Sequence, residues 1–242
     1  MRLIVALALI GPFLQASAGT DKLPRNSRQC LVVTTESWSS SKGKLALFER
    51  DDNSPWHQHG TPIRVLLGRS GLAWGRGLLH PASIMGPFKK EGDSKAPAGI
   101  FRLRYVFGYA REASIKMPYI ALSENIVAID DPRSRYYNQL IDKSKIKTPS
   151  WHSAEKMILA DDRYKWGVFV EHNLPPEPRA GSCIFLHVWK DPSTVTSGCT
   201  AMAETDLVKI IHWLDPARHP LLVQLPQLLY KEFGRRWDLP DL

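Results

Sequence analysis

Short apolar, β-branched runs recur along most of this chain, and turn-forming residues separate them. The runs that predict strands are residues 30–35, 44–50, 63–68, 100–105, 126–129, 167–172 and 182–188. Four serines and a glycine at 37–43 separate the first two runs, which predicts a hairpin. Helical segments are few and short. We therefore expect a mainly β, single-domain fold with mixed or antiparallel sheets packed like a sandwich and one or two helices against them.

The first 18 residues have the pattern of a secretory signal peptide. Arg2 precedes an apolar run over residues 3–14, and Ala16-Ser17-Ala18 forms a cleavage site before Gly19. The apolar run is shorter than the roughly 20 residues that a membrane-spanning helix needs, although an uncleaved anchor is the alternative. We expect export to the periplasm or cell envelope, contact with the membrane only during export, and a flexible segment over residues 19–29.

The chain carries 32 Lys and Arg residues against 24 Asp and Glu, a net charge of +8. An exported basic protein could meet nucleic acid, an anionic membrane surface or an acidic wall polymer. The basic residues are scattered, apart from short pairs such as Lys89-Lys90, and no Lys/Arg-rich block indicates a nucleic-acid site. We expect no nucleic-acid partner, and we expect a monomer.

Three cysteines, an odd number, indicate a free reactive thiol or an intermolecular bridge in an exported protein. If Cys199 is the reactive thiol, Cys30 and Cys183 are left as a disulfide pair or as two buried free thiols.

The stretch over residues 181–202 has the features of a nucleophilic cysteine with a general base nearby. Alternation over residues 182–188 places Cys183, Phe185 and His187 on one face of a strand. Gly198-Cys199 follows twelve residues after the histidine, within reach of a general base. Apolar residues at 207, 210, 211 and 214 predict a helix just after Cys199, whose N-terminus would lower the pKa of the thiol. A small buried cysteine and a core histidine are the alternatives.

The long irregular stretch over residues 68–99 is rich in glycine and proline, and such loops are often functional. Its charged residues, including Lys90 and Glu91, could hold a substrate carboxylate or amine or could be solvated. His57 and His59 lie in a stretch, residues 51–62, that we predict as a loop. With no third ligand nearby they do not predict a metal site.

The residues around the cysteine resemble the signature of a known family. Thr196-Ser197-Gly198-Cys199-Thr200-Ala201-Met202, together with His187, is similar to the catalytic motif of the L,D-transpeptidases (YkuD-type domain). Ala96-Pro97-Ala98-Gly99-Ile100-Phe101 resembles their Pro-x-Gly-x-Phe segment, and the resemblance extends over about residues 31–226. Ser197 and Ala201 stand where many members have a histidine and an Arg or Asn.

The resemblance implies a YkuD-like catalytic domain over residues 30–226, with a C-terminal extension over 227–242. Cys199 would be the nucleophile, His187 the general base, and Thr196, Ser197 and Gly198 the oxyanion and positioning residues. Candidates for substrate contact are Lys90, Glu91 and Trp189. The implied substrates are peptidoglycan stem peptides, and no metal or cofactor is needed. A backbone carbonyl or a hydroxyl would orient His187. The alternatives are a carboxypeptidase on the same site or a non-catalytic wall-binding module.

Overall fold

The computed structural model describes residues 22–52, 54–79 and 86–242, and the signal peptide predicted for residues 1–18 lies outside these ranges. The strands are β1 (Gln29–Thr35), β2 (Lys42–Glu49), β3 (His57–Leu66), β4 (Leu72–Trp74), β5 (Ala96–Gly108), β6 (Tyr119–Ala121), β7 (Ile126–Ile129), β8 (Gln139–Asp142), β9 (Glu155–Lys156), β10 (Trp166–Val170), β11 (Phe185–Val188), β12 (Thr200–Met202) and β13 (Leu221–Pro226). The α-helices in these ranges are α1 (Glu204–Trp213) and α2 (Gln227–Trp237). The prediction of a mainly β fold with one or two helices is confirmed.

The main sheet closes into a barrel, so the predicted sandwich is wrong. Strands follow one another in the order β10, β11, β12, β3, β2, β1, β13 and β5, and β5 pairs again with β10. The reason is the length of β5: its first half, up to Arg102, pairs with β13, and its second half, from Leu103 to Gly108, pairs with β10. This one long strand therefore connects the two ends of the strand order, and the eight strands form a closed barrel without free edges.

A second, three-stranded sheet has the order β8, β7, β9. The prediction of a short helix at residues 153–159 is wrong. Glu155 and Lys156 form β9, in which they pair with Ala128 and Val127 of β7. Pairing with a strand that is distant in sequence overrides the weak helical pattern. Likewise β3 begins at His57, inside the predicted loop at 51–62, because its first residues extend the antiparallel ladder with β2.

Helix α1 buries the face that its spacing predicts. Leu207, Ile210 and Ile211 are buried in the main core, and Leu214 follows them directly after the last turn. The prediction of a helix with this apolar face is confirmed. Among the described residues, no helix is long and apolar enough to cross a membrane.

Both ends of the described chain belong to the core. Leu23, in the segment over 19–29 that was predicted to be flexible, is buried, and its amide donates to the carbonyl of Trp237 at 2.8 Å. Helix α2 lies in the predicted C-terminal extension, and it buries Tyr230, Phe233 and Trp237. The extension therefore shares the apolar core of the barrel domain.

Replacing Trp237 by alanine is expected to lower the free energy of unfolding by about 3–5 kcal/mol, because it empties a large, fully buried site. The indole stacks on Phe233 with ring centroids 4.5 Å apart. Urea unfolding of the two proteins measures the difference. Leu228→Ala on the same helix is the control, since that side chain is 74% exposed and its loss is expected to change stability by less than about 0.5 kcal/mol. Equal losses in the two variants would show that α2 is not part of the folding unit.

Candidate active site

Most of the predicted site residues line one cleft of about 430 Å³. They are Glu91, His187, Trp189, Thr196, Ser197, Gly198 and Cys199, whereas Lys90 does not line it. Lys90 is exposed, and its backbone amide donates to Asp93. The sequence-based choice of Lys90 as a substrate contact is therefore not supported by its placement.

The pairing of two parallel strands helps to bring the cysteine and the histidine into the same cleft. In the pairing of β11 with β12, His187 lies opposite Ala201. Cys199 lies two residues before Ala201, and the amide of Phe185 donates to its Sγ at 3.3 Å. Cys199 itself lies in the bend just before β12, and it lines the same cleft as Ala201 and His187.

His187 is held in one tautomer and one orientation. Its Nδ1 donates to the carbonyl oxygen of Val188 at 2.7 Å, so Nε2 is left as the acceptor. The edge-to-face contact with Tyr164, with ring centroids 5.4 Å apart, packs the imidazole from the side. Burial lowers its pKa to about 4. The histidine is therefore neutral near pH 7 and able to accept a proton, and the orienting group is a backbone carbonyl.

The thiol of Cys199 does not lie at a helix N-terminus, which corrects the sequence-based expectation. Strand β12 separates it from α1, which begins at Glu204. Burial, reinforced by the charge of Glu155, raises the pKa of the thiol to about 12, against the lowering that the sequence suggested. Its Sγ lies 3.8 Å from the carbonyl oxygen of Cys183, to which the protonated thiol donates. The resting site is thus a neutral thiol beside a neutral imidazole.

Thr196 holds the turn that carries the cysteine. Its hydroxyl donates to the carbonyl of Cys199 at 2.6 Å and accepts from the amide of Gly198 at 3.1 Å. The Gly198 amide is therefore already hydrogen-bonded to Thr196 and is not free to donate to an oxyanion, as the sequence-based prediction required. The hydroxyl of Ser197 accepts a hydrogen bond from the guanidinium group of Arg69 at 3.1 Å. Many members of the family that the motif resembles have a histidine at this position.

Glu91 is fixed at the rim of the cleft. Its carboxylate accepts hydrogen bonds from the hydroxyl of Tyr137 and, at 2.9 Å, from that of Ser182. Trp189 follows β11 and lines the same cleft. Both candidates for substrate contact are therefore in positions where a bound peptide could touch them.

Five charged residues that were not among the predicted site residues also line the cleft: Lys89, Asp130, Glu155, Arg163 and Lys190. Glu155 accepts from the hydroxyl of Tyr164 at 2.6 Å, and burial raises the pKa of its carboxyl. The misread helix at 153–159 concealed this residue. The opposite charges of Lys89 and Asp93, four residues apart across Gly92, were a usable signal for a salt bridge in a turn.

All three cysteines are free, and Cys30 and Cys183 are buried. Of the two alternatives for that pair, the structure shows two buried free thiols and not a disulfide. Cys183 has a left-handed backbone with φ of +52°, and its amide donates to the side-chain oxygen of Asn138 at 2.8 Å.

His59 stacks on Trp213 with ring centroids 5.6 Å apart. No cluster of three or more metal-ligating side chains occurs within residues 22–52, 54–79 and 86–242.

A comparison of the chain with protein-family models gives no match, and a comparison with curated proteins gives none either. Assignments of activity therefore depend on the residues and geometry of the cleft and on the resemblance of its motifs.

Acid is expected to destabilise the protein through His172, which is fully buried behind the cleft. Its Nε2 donates to the carbonyl of Ala180 at 2.9 Å, and its Nδ1 accepts from the amide of Arg76 at 3.2 Å, so both nitrogens are used by the neutral ring. Burial lowers its pKa to about 3, below the unfolded value of about 6.5. Its contribution to stability is complete above pH 6.5 and is lost as the pH falls from about 6.5 to about 3.

His172→Gln keeps one donor and one acceptor but does not titrate. Between about pH 7.5 and pH 4.5, the free energy of unfolding should fall by about 3 kcal/mol more in the wild type than in the variant. Urea unfolding at the two pH values measures this difference. His187 is present in both proteins, so its own titration cancels. Parallel pH dependences would contradict the neutral, buried state of His172.

Proposed function

We propose that this protein is an exported cysteine acyltransferase that acts on peptidoglycan stem peptides, with the chemistry of an L,D-transpeptidase. The observation that carries the proposal is that Cys199 and His187 line one cleft, with His187 in β11 and Cys199 in the bend just before the paired strand β12. The carbonyl of Val188 fixes the histidine with Nε2 as the acceptor. This is the arrangement of a nucleophile, a base and an orienting group that thiol acyl transfer requires.

In the proposed reaction the proton of Cys199 Sγ passes to His187 Nε2 as the sulfur attacks the carbonyl at the L-centre of the third stem residue. The resulting oxyanion is stabilised by the amide of Cys199 on the turn that Thr196 holds. The protonated His187 then gives its proton to the amine of the terminal D-Ala, which leaves. A thioester remains on Cys199, and the amine of a second stem or a water molecule resolves it.

The charges of the cleft suit a peptide that carries both amines and carboxylates. Glu91, Asp130 and Glu155 are the acidic lining residues, and Lys89, Arg163 and Lys190 are the basic ones. A stem peptide presents a free carboxylate at its D-Ala end and an amine at the acceptor end, so both kinds of partner are present. The basic surface of the chain would favour an anionic wall polymer. Export through residues 1–18 would bring the protein to that polymer, and the chemistry uses neither a metal nor a cofactor.

Purified protein incubated with disaccharide-tetrapeptide muropeptides tests the proposal. Mass spectrometry of the products should show a cross-linked dimer that has lost one D-Ala. Trimmed tripeptides without dimers would favour the carboxypeptidase, in which water resolves the thioester. The absence of both products, together with no covalent adduct on the protein, would overturn the enzymatic proposal and favour a wall-binding module.

A further inference from the structure

Lys89 is a buried cation in the wall of the cleft. Its side chain is 4% exposed, and its backbone amide is anchored on the carbonyl of Trp74 at 2.8 Å. The ammonium group donates to the carbonyl of Lys90 at 2.8 Å and to the carboxylate of Asp93 at 2.6 Å. An ammonium group has three N–H donors, so these two bonds leave one donor.

The Lys89 side chain runs close to Gly181, and its charged end lies near Gly198. A Cβ at Gly181 would lie 3.1 Å from Lys89 Cε, and a Cβ at Gly198 would lie 3.9 Å from Lys89 Nζ. The lysine thus passes between two glycines, and its charged end reaches the residue that precedes Cys199. Both glycines have positive φ, +95° at Gly181 and +152° at Gly198, so a side chain at either would also strain the backbone.

Other means of stabilising negative charge are weak at this cysteine. The N-terminus of α1 begins five residues further along the chain, at Glu204, and the Gly198 amide is bonded to Thr196. The Phe185 amide is the one backbone donor that the described residues direct at Sγ. The carboxyl of Glu155 acts in the opposite direction, since its charge opposes ionisation of the thiol.

We propose that Lys89 is the fixed cation of this site: its ammonium group stabilises the negative charge that develops first on Cys199 Sγ and then on the carbonyl oxygen of the attacked substrate. The second half of this proposal rests on the proposed function, but the first half does not. The thiol proton goes to His187 Nε2, and Lys89 keeps its own protons throughout. Asp93 and the Lys90 carbonyl hold the ammonium group in place, so no rearrangement is needed as the charge appears.

The charges that surround the thiol agree with this role. Lys89 and Arg163 lower the pKa of Cys199, with Lys89 the larger of the two, and Glu155 raises it. Of the other titratable residues that line the cleft, His187, Tyr164 and Cys183 are neutral near pH 7 because burial suppresses their charged forms, and the remaining acidic and basic ones are Glu91, Asp130 and Lys190. Lys89 is therefore the cation whose removal should change the reactivity of the thiol most.

The experiment measures alkylation of Cys199 by iodoacetamide, a neutral reagent, as a function of pH, with peptide mapping to assign the modified thiol. At any pH below the titration midpoint the rate is proportional to the thiolate fraction. Lys89→Met keeps the length of the side chain and removes its charge, and the rate should fall about tenfold or more at each pH. Lys89→Arg keeps the charge and should retain more of the rate than Lys89→Met does. Lys147→Met, at an exposed lysine that does not line the cleft, is the matched control and should leave the rate unchanged.

An unchanged rate in folded Lys89→Met would overturn the proposal. If that variant does not fold, Asp93→Asn decides the matter, since removing the negative charge beside Lys89 should raise the alkylation rate, and an equal or lower rate would overturn it. Failure of the proposed function is a separate result. It would appear as absent muropeptide turnover in the wild type while the alkylation rates still followed the charge at residue 89.

Discussion

Alanine in place of Cys199 is expected to abolish covalent acylation of the protein, with a loss of turnover of at least about 10³-fold. The reason is that the methyl group of alanine cannot attack a carbonyl. Of the other two cysteines, Cys30 does not line the cleft, and the buried thiol of Cys183 donates to the carbonyl oxygen of Ile129 at 3.5 Å. The substitution removes one sulfur from a half-buried position, so the fold should persist. Intact-mass measurement after incubation with a carbapenem or with tetrapeptide muropeptides detects the acyl adduct.

Cys30→Ala is the matched control for this experiment. Cys30 lies in β1 and is fully buried, so its replacement changes the same atom at a site that does not line the cleft. That variant should form the adduct at the rate of the wild type. An adduct of equal yield in Cys199→Ala would assign the acylation to another group and would refute Cys199 as the nucleophile.

Glutamine in place of His187 is expected to slow acylation by about 10²–10⁴-fold, the range that a general base contributes. Glutamine can still donate to the carbonyl of Val188, but it cannot take the thiol proton. The thiol, whose pKa burial raises to about 12, is almost entirely protonated near pH 7, so its reaction depends on a base. Stopped-flow or quenched-flow acylation measures the rate constant.

The pH profile separates this role from a structural one. His187 acts as a base in its neutral form, so the wild-type rate should fall as the pH drops through its lowered pKa, about 4. This acid limb should be missing in His187→Gln. His212→Gln, at an exposed position near the end of α1, is the control and should retain both rate and limb. A His187→Gln protein with the wild-type rate and profile would assign the base elsewhere.

Several local features could be predicted from the sequence because they depend on residues close together in the chain. The short apolar run at 126–129 coincides with β7, and the spacing of Leu207, Ile210 and Ile211 identified the buried face of α1. Likewise, a strand ending near His187 and a Gly-Cys turn twelve residues later placed both candidates in one cleft. Such patterns reflect the geometry of a single strand or helix, which a short stretch of sequence contains in full.

Features that need contacts between distant parts of the chain were missed or misread. Glu155 lies on a strand at the cleft because β9 pairs with β7. The helical propensity of the surrounding residues is weak, so this tertiary pairing decides their conformation. Lys89 could be seen as part of a basic pair, but its burial beside Gly198 depends on how the 86–95 segment folds over the turn of the cysteine.

The amino-acid sequence by itself determined the β-rich class, the face of α1 and the choice of Cys199 and His187. Only the tertiary structure decided that the sheet closes, because closure requires β5 to pair with both β13 and β10. The tertiary structure also decided that Cys199 is protonated and His187 is neutral near pH 7. The pKa of a thiol depends on burial and on charges from several elements, and these raise it where proximity to a helix in the sequence had suggested a decrease.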